Sequence, residues 1–199
     1  MPYFYKPGEV NLLFIHIPKT GGTSIEQYLS NRYNIPLDHR SLYYCWPSLS
    51  LQHYTYENII YHREIILVPG FSTFTIVRNP YHRIVSDLFF LGLVKVGMSP
   101  SQVFYEIENH YQGAAQDNHG RPQYEFIYDM SNNILYDHIY VLKSESLKED
   151  IAALGYADFD IHVNKGPIEN HMDYLNEDSI EYVNRAYALD FAFFGYEML

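Results

Sequence analysis

An apolar run that stops at a proline, with a lysine, two glycines and three hydroxyls directly behind it, limits this chain to few folds. The segment is Asn11-Leu12-Leu13-Phe14-Ile15-His16-Ile17-Pro18-Lys19-Thr20-Gly21-Gly22-Thr23-Ser24. It reads as a buried strand over Leu12–Ile17, a phosphate-cradling turn, and a helix. The helix carries Ile25, Tyr28, Leu29 and Tyr33 at helical spacing and ends at Asn34–Pro36. The turn offers the charge of Lys19, backbone amides unshielded at Gly21 and Gly22, the hydroxyls of Thr20, Thr23 and Ser24, and a helix N-terminus. All of these favour an anion. The order is not that of the usual nucleotide P-loop, where glycine precedes Gly-Lys-Ser/Thr by four residues. Here the lysine comes before the glycines, and no Walker-type aspartate is evident.

A second strand, Phe71–Val77, ends in Arg78-Asn79-Pro80. Asn is a good helix cap and Pro suits the first helical position, so a helix starts there. Its core face is Tyr81, Ile84, Val85, Leu88 and Leu91, which leaves Ser86 off that face beside His82 and Arg83. Pro80 to Ser86 rises only about 9 Å, so an arginine fork from the strand end and the Ser86 hydroxyl can meet on one phosphate. Further helices are expected over Thr55–His62, Pro100–Tyr111 and Pro122–Asp129, with a loop over Gly113–Gly120. A third strand follows at Ile139–Leu142. Ser146-Leu147-Lys148-Glu149 fits a capping box opening a helix to Leu154. Asp158–Pro167 is irregular, and Asp178–Leu189 closes the chain as a helix bearing Ile180, Val183 and Tyr187 on one side. Strands separated by helices imply an α/β sandwich with a parallel sheet, whose ligands sit at the carboxyl ends of the strands. Lys19 and Arg78 both fall at such ends.

Charge narrows the function. A net charge of −11, with 13 Lys and Arg in 199 residues, argues against a general nucleic-acid binder. An anionic ligand must be held by a local cluster of the few cations present. The apolar content of 47% suits one folded domain with a real core. Cys45 is the only cysteine, so no intrachain disulfide forms and no oxidising compartment is needed. There is no signal-like N-terminus and no apolar run of membrane length. A cytoplasmic protein without a membrane anchor is expected.

Taken together, the two motifs resemble the sulfotransferases that use 3′-phosphoadenosine 5′-phosphosulfate, in particular the branch of glycan and uronosyl O-sulfotransferases. Phe14 to Ser24 matches that branch's phosphosulfate loop nearly letter for letter, and Val77-Arg78-Asn79-Pro80-Tyr81-His82-Arg83-Ile84-Val85-Ser86 matches its 3′-phosphate motif. Leu142-Lys143-Ser144-Glu145-Ser146-Leu147 and Asp190-Phe191-Ala192-Phe193-Phe194-Gly195-Tyr196 are weaker echoes. The resemblance implies a three-layer sandwich with a central parallel sheet, P-loop NTPase-like, and one sulfotransferase domain over 1–199. It also implies that Lys19, Thr20, Gly21, Gly22, Thr23 and Ser24 hold the 5′-phosphosulfate, and that Arg78 and Ser86 hold the 3′-phosphate. Asn164-Lys165-Gly166 resembles the basic loop that closes over the donor, with Asn in place of the usual Arg. Sulfuryl transfer is an in-line displacement that leaves charge on the departing phosphate, where a lysine and backbone donors stabilise it without a metal.

The acceptor hydroxyl needs a base. His53, in Leu51-Gln52-His53-Tyr54-Thr55-Tyr56-Glu57, lies between the two motifs and has a suitable pKa. Glu57 is the second choice. His16 lies in a strand and reads as structural. Arg83 either assists a phosphate or pairs with Asp87. No histidine spacing forms a metal quartet, so no metal is expected. The acceptor is expected to be a carbohydrate or small alcohol, neutral rather than heavily charged because the chain is acidic; Tyr43, Tyr44 and Trp46 are aromatics suited to a sugar ring or to the core. Two other classes remain open: a small P-loop-type kinase or NTPase, and a nucleotide-binding module without catalysis.

Overall fold

The computed structural model describes residues 3–37, 41–42, 49–62, 66–111, 117–161, 163, 166 and 170–199. Its elements in order are β1 (Tyr3–Lys6), β2 (Val10–Ile15), α1 (Gly22–Tyr33), β3 (Ser41–Leu42), β4 (Leu49–Ser50), α2 (Tyr56–His62), β5 (Ser72–Val77), α3 (Pro80–Phe90), α4 (Pro100–His110), β6 (Tyr128–Asp129), β7 (Ile134–Leu135), β8 (Ile139–Lys143), α5 (Leu147–Ala153), α6 (Glu177–Ala186) and α7 (Ala188–Phe194). The main sheet has the order β1-β2-β5-β8. β2, β5 and β8 run parallel, with Ile15 opposite Thr75 and Val77 opposite Lys143. The loops that begin at His16, Arg78 and Ser144 therefore leave one edge of the sheet.

Alternation along β2 builds the layers. Leu13 and Ile15 face a core with Tyr54, Ile59, Phe126 and Phe194. Leu12 and Phe14 face the other core, with Ile25 and Leu29 of α1 and Ile151 of α5. Each such side chain contributes roughly 1.5–3 kcal/mol on full burial, so a one-residue slip of β2 would exchange two whole packing sets. A third cluster joins α3, α4, α6 and α7 through Tyr81, Ile84, Leu88, Val103, Val183 and Phe191. On α3 the expected face is buried apart from half-exposed Leu91, and the charged Arg83 and Asp87 are buried with it.

The expected parallel sheet is present in β2, β5 and β8, and β1 adds an antiparallel edge strand through the Pro7-Gly8 turn with Gly8 at φ 76°. Three local expectations are corrected. Residues 122–129 form a short 3-10 turn over Gln123–Phe126 and then strand β6, paired with β7. The C-terminal helix is two helices divided at Tyr187, because Asp190 turns inward to accept the amides of Gln123 (2.9 Å) and Tyr124 (2.8 Å). The capping box at Ser146 does not form; its hydroxyl donates to Asp150 (3.0 Å), which also accepts the Lys143 amide (2.8 Å). Among the described residues no helix is long and apolar enough to cross a membrane. Tyr43, Tyr44, Cys45, Trp46, Asn164 and Lys165 lie outside the described residues.

Candidate active site

The turn between β2 and α1 is held open by backbone geometry. Lys19 (φ 67°) and Gly21 (φ 98°) both adopt left-handed conformations, which only glycine reaches at little cost. A Cβ on Gly22 would stand 2.5 Å from the His16 ring and 2.9 Å from Phe14, so glycine alone lets α1 start this close to the sheet. α1 begins without a side-chain cap and without an acidic residue in its first turn. The Ser24 amide is bonded to the Gly21 carbonyl (3.1 Å), while the Gly22 and Thr23 amides receive no cap side chain and the positive dipole end meets no acidic residue in the first turn. The hydroxyls divide the work differently from the expected pattern. The Thr20 hydroxyl is buried and donates to the Ile17 carbonyl (2.8 Å). The Ser24 hydroxyl accepts the Val163 amide (3.0 Å) and so ties the loop after α5 to this turn. Thr23 is half-buried on the first turn of α1.

Arg78 reaches this turn from the end of β5. Its Nη1 donates to the Lys19 carbonyl (3.1 Å) and its Nη2 to His171 Nε2 (3.2 Å). Its backbone is gripped on both sides by Gln123, whose Oε1 accepts the Arg78 amide and whose Nε2 donates to the Arg78 carbonyl, each at 2.8 Å. His171 must be neutral to accept from an arginine. Burial, then the charges of Arg78 and His82, hold it down at about 4. The His82 ring stacks on His171 at 5.2 Å, and Ser86 is half-buried one turn further along α3. Burial pulls Lys19 below the ordinary lysine value, with Asp87 opposing and Arg78 adding to the shift. Burial lowers Arg78 likewise. Among the described residues neither cation has a carboxylate at ion-pair distance. Two converging, partly desolvated cations of this kind are stabilised by a bound anion.

Beside them lies a row of rings. Lys19 Nζ sits 4.2 Å from the Phe90 ring centre. Phe90 stacks on His119 at 5.0 Å, His119 meets His53 edge-on at 5.1 Å, and His53 meets His16 edge-on at 5.4 Å. Each imidazole has its own carboxylate. His16 Nδ1 lies 3.2 Å from Glu26, with Gln52 at 2.8 Å. His53 Nδ1 donates to Asp117 (2.9 Å), and His119 Nδ1 donates to Asp87 (2.6 Å). Burial lowers His53, outweighing the hydrogen bond to Asp117 that raises it. Asp117 ends below its ordinary value: burial raises it, but its bonds from His53 and from the amide and hydroxyl of Ser50 prevail. His53 is thus neutral near pH 7, with the proton on Nδ1 and Nε2 unprotonated.

Glu57, on α2, does not join this row through any contact seen among the described residues; its carboxylate accepts from Tyr136 at 3.4 Å. Arg83 neither reaches a ligand position nor pairs with Asp87: it donates to the carbonyls of Pro18 (3.0 Å), Arg121 (2.9 Å) and His119 (2.5 Å). Single atoms of His53, Asp117 and His119 lie within 4.8 Å of one another. The Asp117 oxygens are already engaged by His53 and Ser50, and His119 Nδ1 by Asp87, so the trio is built as two hydrogen-bonded pairs rather than as a metal cage. Sequence reasoning missed His119, Asp87, Asp117 and His171. All four lie outside the quoted motifs, Asp87 by one position, and only their partners mark them.

No curated protein matches the chain. A family model described as the sulfotransferase family matches residues 2–197, a span that includes the Lys19 turn, the Arg78 strand end and the histidine row. The chain belongs to the sulfotransferase family and is a sulfuryl transferase.

Proposed function

We propose that this protein transfers the sulfuryl group of 3′-phosphoadenosine 5′-phosphosulfate to a hydroxyl on a carbohydrate or small alcohol. The observation that carries the reading is the hydrogen bond from Arg78 to the Lys19 carbonyl. It ties the end of β5 to the Lys19 turn, 59 residues away in sequence, and leaves the two cations close enough to feel each other's charge, which suits a donor that is anionic at both ends. Lys19 and the Gly22 and Thr23 amides at the start of α1 face the 5′-phosphosulfate, and Arg78 with Ser86 faces the 3′-phosphate. Gly21, Gly22, Thr20 and Thr23 contribute backbone, and Ser24 anchors the segment around Val163. Lys165 is assigned to the closing loop by resemblance alone.

As the acceptor oxygen attacks, charge builds on the departing phosphate, and Lys19 stabilises it there. His53 is kept in the form of a base by Asp117 and by burial, which suits it to take the acceptor's proton. Glu57, engaged by Tyr136, is the weaker candidate. The acidic chain favours an acceptor of low charge.

The test is thermal melting with adenosine 3′,5′-bisphosphate against ATP with Mg²⁺. At about 100 times its dissociation constant the bisphosphate should add roughly 2.7 kcal/mol, or about 5–10 °C for a domain of this size. ATP with Mg²⁺ should give a much smaller shift, and Arg78→Ala should remove most of the bisphosphate shift. A wild type that ignores the bisphosphate refutes the donor assignment.

A further inference from the structure

Along α3, Tyr81, Ile84, Val85 and Leu88 are buried, and Phe90, at the helix end, is 62% exposed. A single exposed apolar residue is ordinary. What this one touches sets it apart. Lys19 Nζ rests 4.2 Å from its ring centre. The ring also stacks on His119 at 5.0 Å, with the two planes 10° apart. That backing is firm: His119 Nδ1 donates to buried Asp87 (2.6 Å), and the His119 carbonyl accepts from Arg83 (2.5 Å). The phenyl ring is thus held from behind, and most of the residue still faces solvent beside the ammonium.

This open surface does not suit the donor. A phenyl face carries the negative part of the ring quadrupole. It attracts an ammonium, repels phosphate and sulfate oxygens, and has no hydrogen bond to offer them. The groups suited to the anion are Lys19, Arg78 and the Gly22 and Thr23 amides. The second substrate has other needs. Its hydroxyl must come within about 3–3.5 Å of the sulfur, whose leaving oxygen Lys19 holds. Its carbon skeleton therefore comes alongside the side chains around this ammonium. A flat, fixed, apolar surface there favours an acceptor with a flat apolar face of its own. Phenylalanine has no polar tip, so it reads that face and not the acceptor's remaining hydroxyls.

Resting on the sulfotransferase reading, we propose that Phe90 is the platform on which the acceptor stacks, and that the acceptor is an uncharged molecule whose hydroxyl is borne by a flat ring, a pyranose or an aryl group. In the protein without donor the same ring holds the Lys19 ammonium. An anionic donor draws the lysine to its phosphate oxygen and leaves the ring surface to the acceptor.

The experiment follows bisphosphate release from the sulfated donor, with methyl glycosides, phenol and butanol as probe acceptors. In the wild type, kcat/KM for one ring class should exceed that for butanol by about tenfold or more, and which class does so names the acceptor. Phe90→Ala should raise KM for the ring-bearing probe about 5- to 30-fold. Its kcat should stay within about threefold and its bisphosphate affinity, by calorimetric titration, within about twofold. Phe90→Trp, which keeps a flat face, should hold KM at or below the wild-type value. A ring-probe KM that Phe90→Ala leaves unchanged overturns the platform, and a fall in bisphosphate affinity and kcat in that variant would instead make Phe90 a support for Lys19. A wild type that serves butanol or water as well as every ring-bearing probe overturns it too. Each of these outcomes leaves the sulfotransferase reading standing. A wild type that does not bind the bisphosphate, or never releases it from the sulfated donor, defeats that reading and this platform with it.

Discussion

α1 and α6 begin in opposite ways. α6 starts at Asn176, whose side chain accepts the Ser179 amide (2.9 Å), and Glu177 and Asp178 occupy its first turn. Its exposed amides and dipole are met from within the sequence. α1 starts at Gly21 with no side-chain cap and no acid, beside two cations with no carboxylate at ion-pair distance among the described residues. One helix start serves stability. The other leaves favourable interactions unmade until an anion arrives. A protein can hold both because the packing of α1 against β2 and α5 supplies the stability that its uncapped end forgoes.

The contrast breaks most severely at Lys19. Lys19→Ala should lower kcat by about 10²–10³, or roughly 3–4 kcal/mol of transition-state stabilisation, with the melting temperature close to wild type; steady-state kinetics beside calorimetry checks this. An equal loss of folded protein would make Lys19 a structural residue. Gly22→Ala comes next. The added methyl meets the His16 ring and Phe14, and overpacking of this kind costs roughly 1–3 kcal/mol. Denaturant titration should show that loss, together with weaker bisphosphate binding, because α1 must move away from the turn. Asn176→Ala sharpens the comparison from the other side: about 1 kcal/mol less stable, with unchanged bisphosphate affinity by calorimetric titration.

A further test is a pH dependence. His171 is held at about 4 in the fold, against about 6.5 for a free histidine. Between those values the unfolded chain binds more protons, so stability is complete above pH 6.5 and falls as pH drops toward 4. Melting curves across that window should slope less in His171→Gln. Bound bisphosphate should raise the His171 pKa by offsetting the Arg78 charge, which an NMR titration of the imidazole would detect.

Much of this was written in local sequence. Pro18-Lys19-Thr20-Gly21-Gly22 and Arg78-Asn79-Pro80 state their own geometry, since proline, glycine and an asparagine cap each restrict the backbone. The apolar rhythm of β2, β5, α1 and α3 fixes which faces are buried. What stayed hidden depends on pairs distant in the chain. Asp87 reads as a surface partner for Arg83 until the fold brings His119, 32 residues away, to its carboxylate. Glycine and asparagine around His119 suggest only a loop. β1 carried a usable hint in Pro7-Gly8 between two apolar runs, but four residues are too few for a periodic signal. The split between α6 and α7 follows from Asp190 serving Gln123 and Tyr124, which no spacing within the segment foretells.

The Arg83 guanidinium touches three carbonyls on two loops. Lysine, a single point donor, could serve only one or two of these carbonyls at once. The turn carrying Lys19 and the loop carrying His119 and Arg121 are thus riveted together. Changing what this enzyme sulfates should therefore be easier by recutting the exposed rim, at residues such as Phe90, than by exchanging the 117–121 loop, because a transplanted loop would also loosen the hold on the donor.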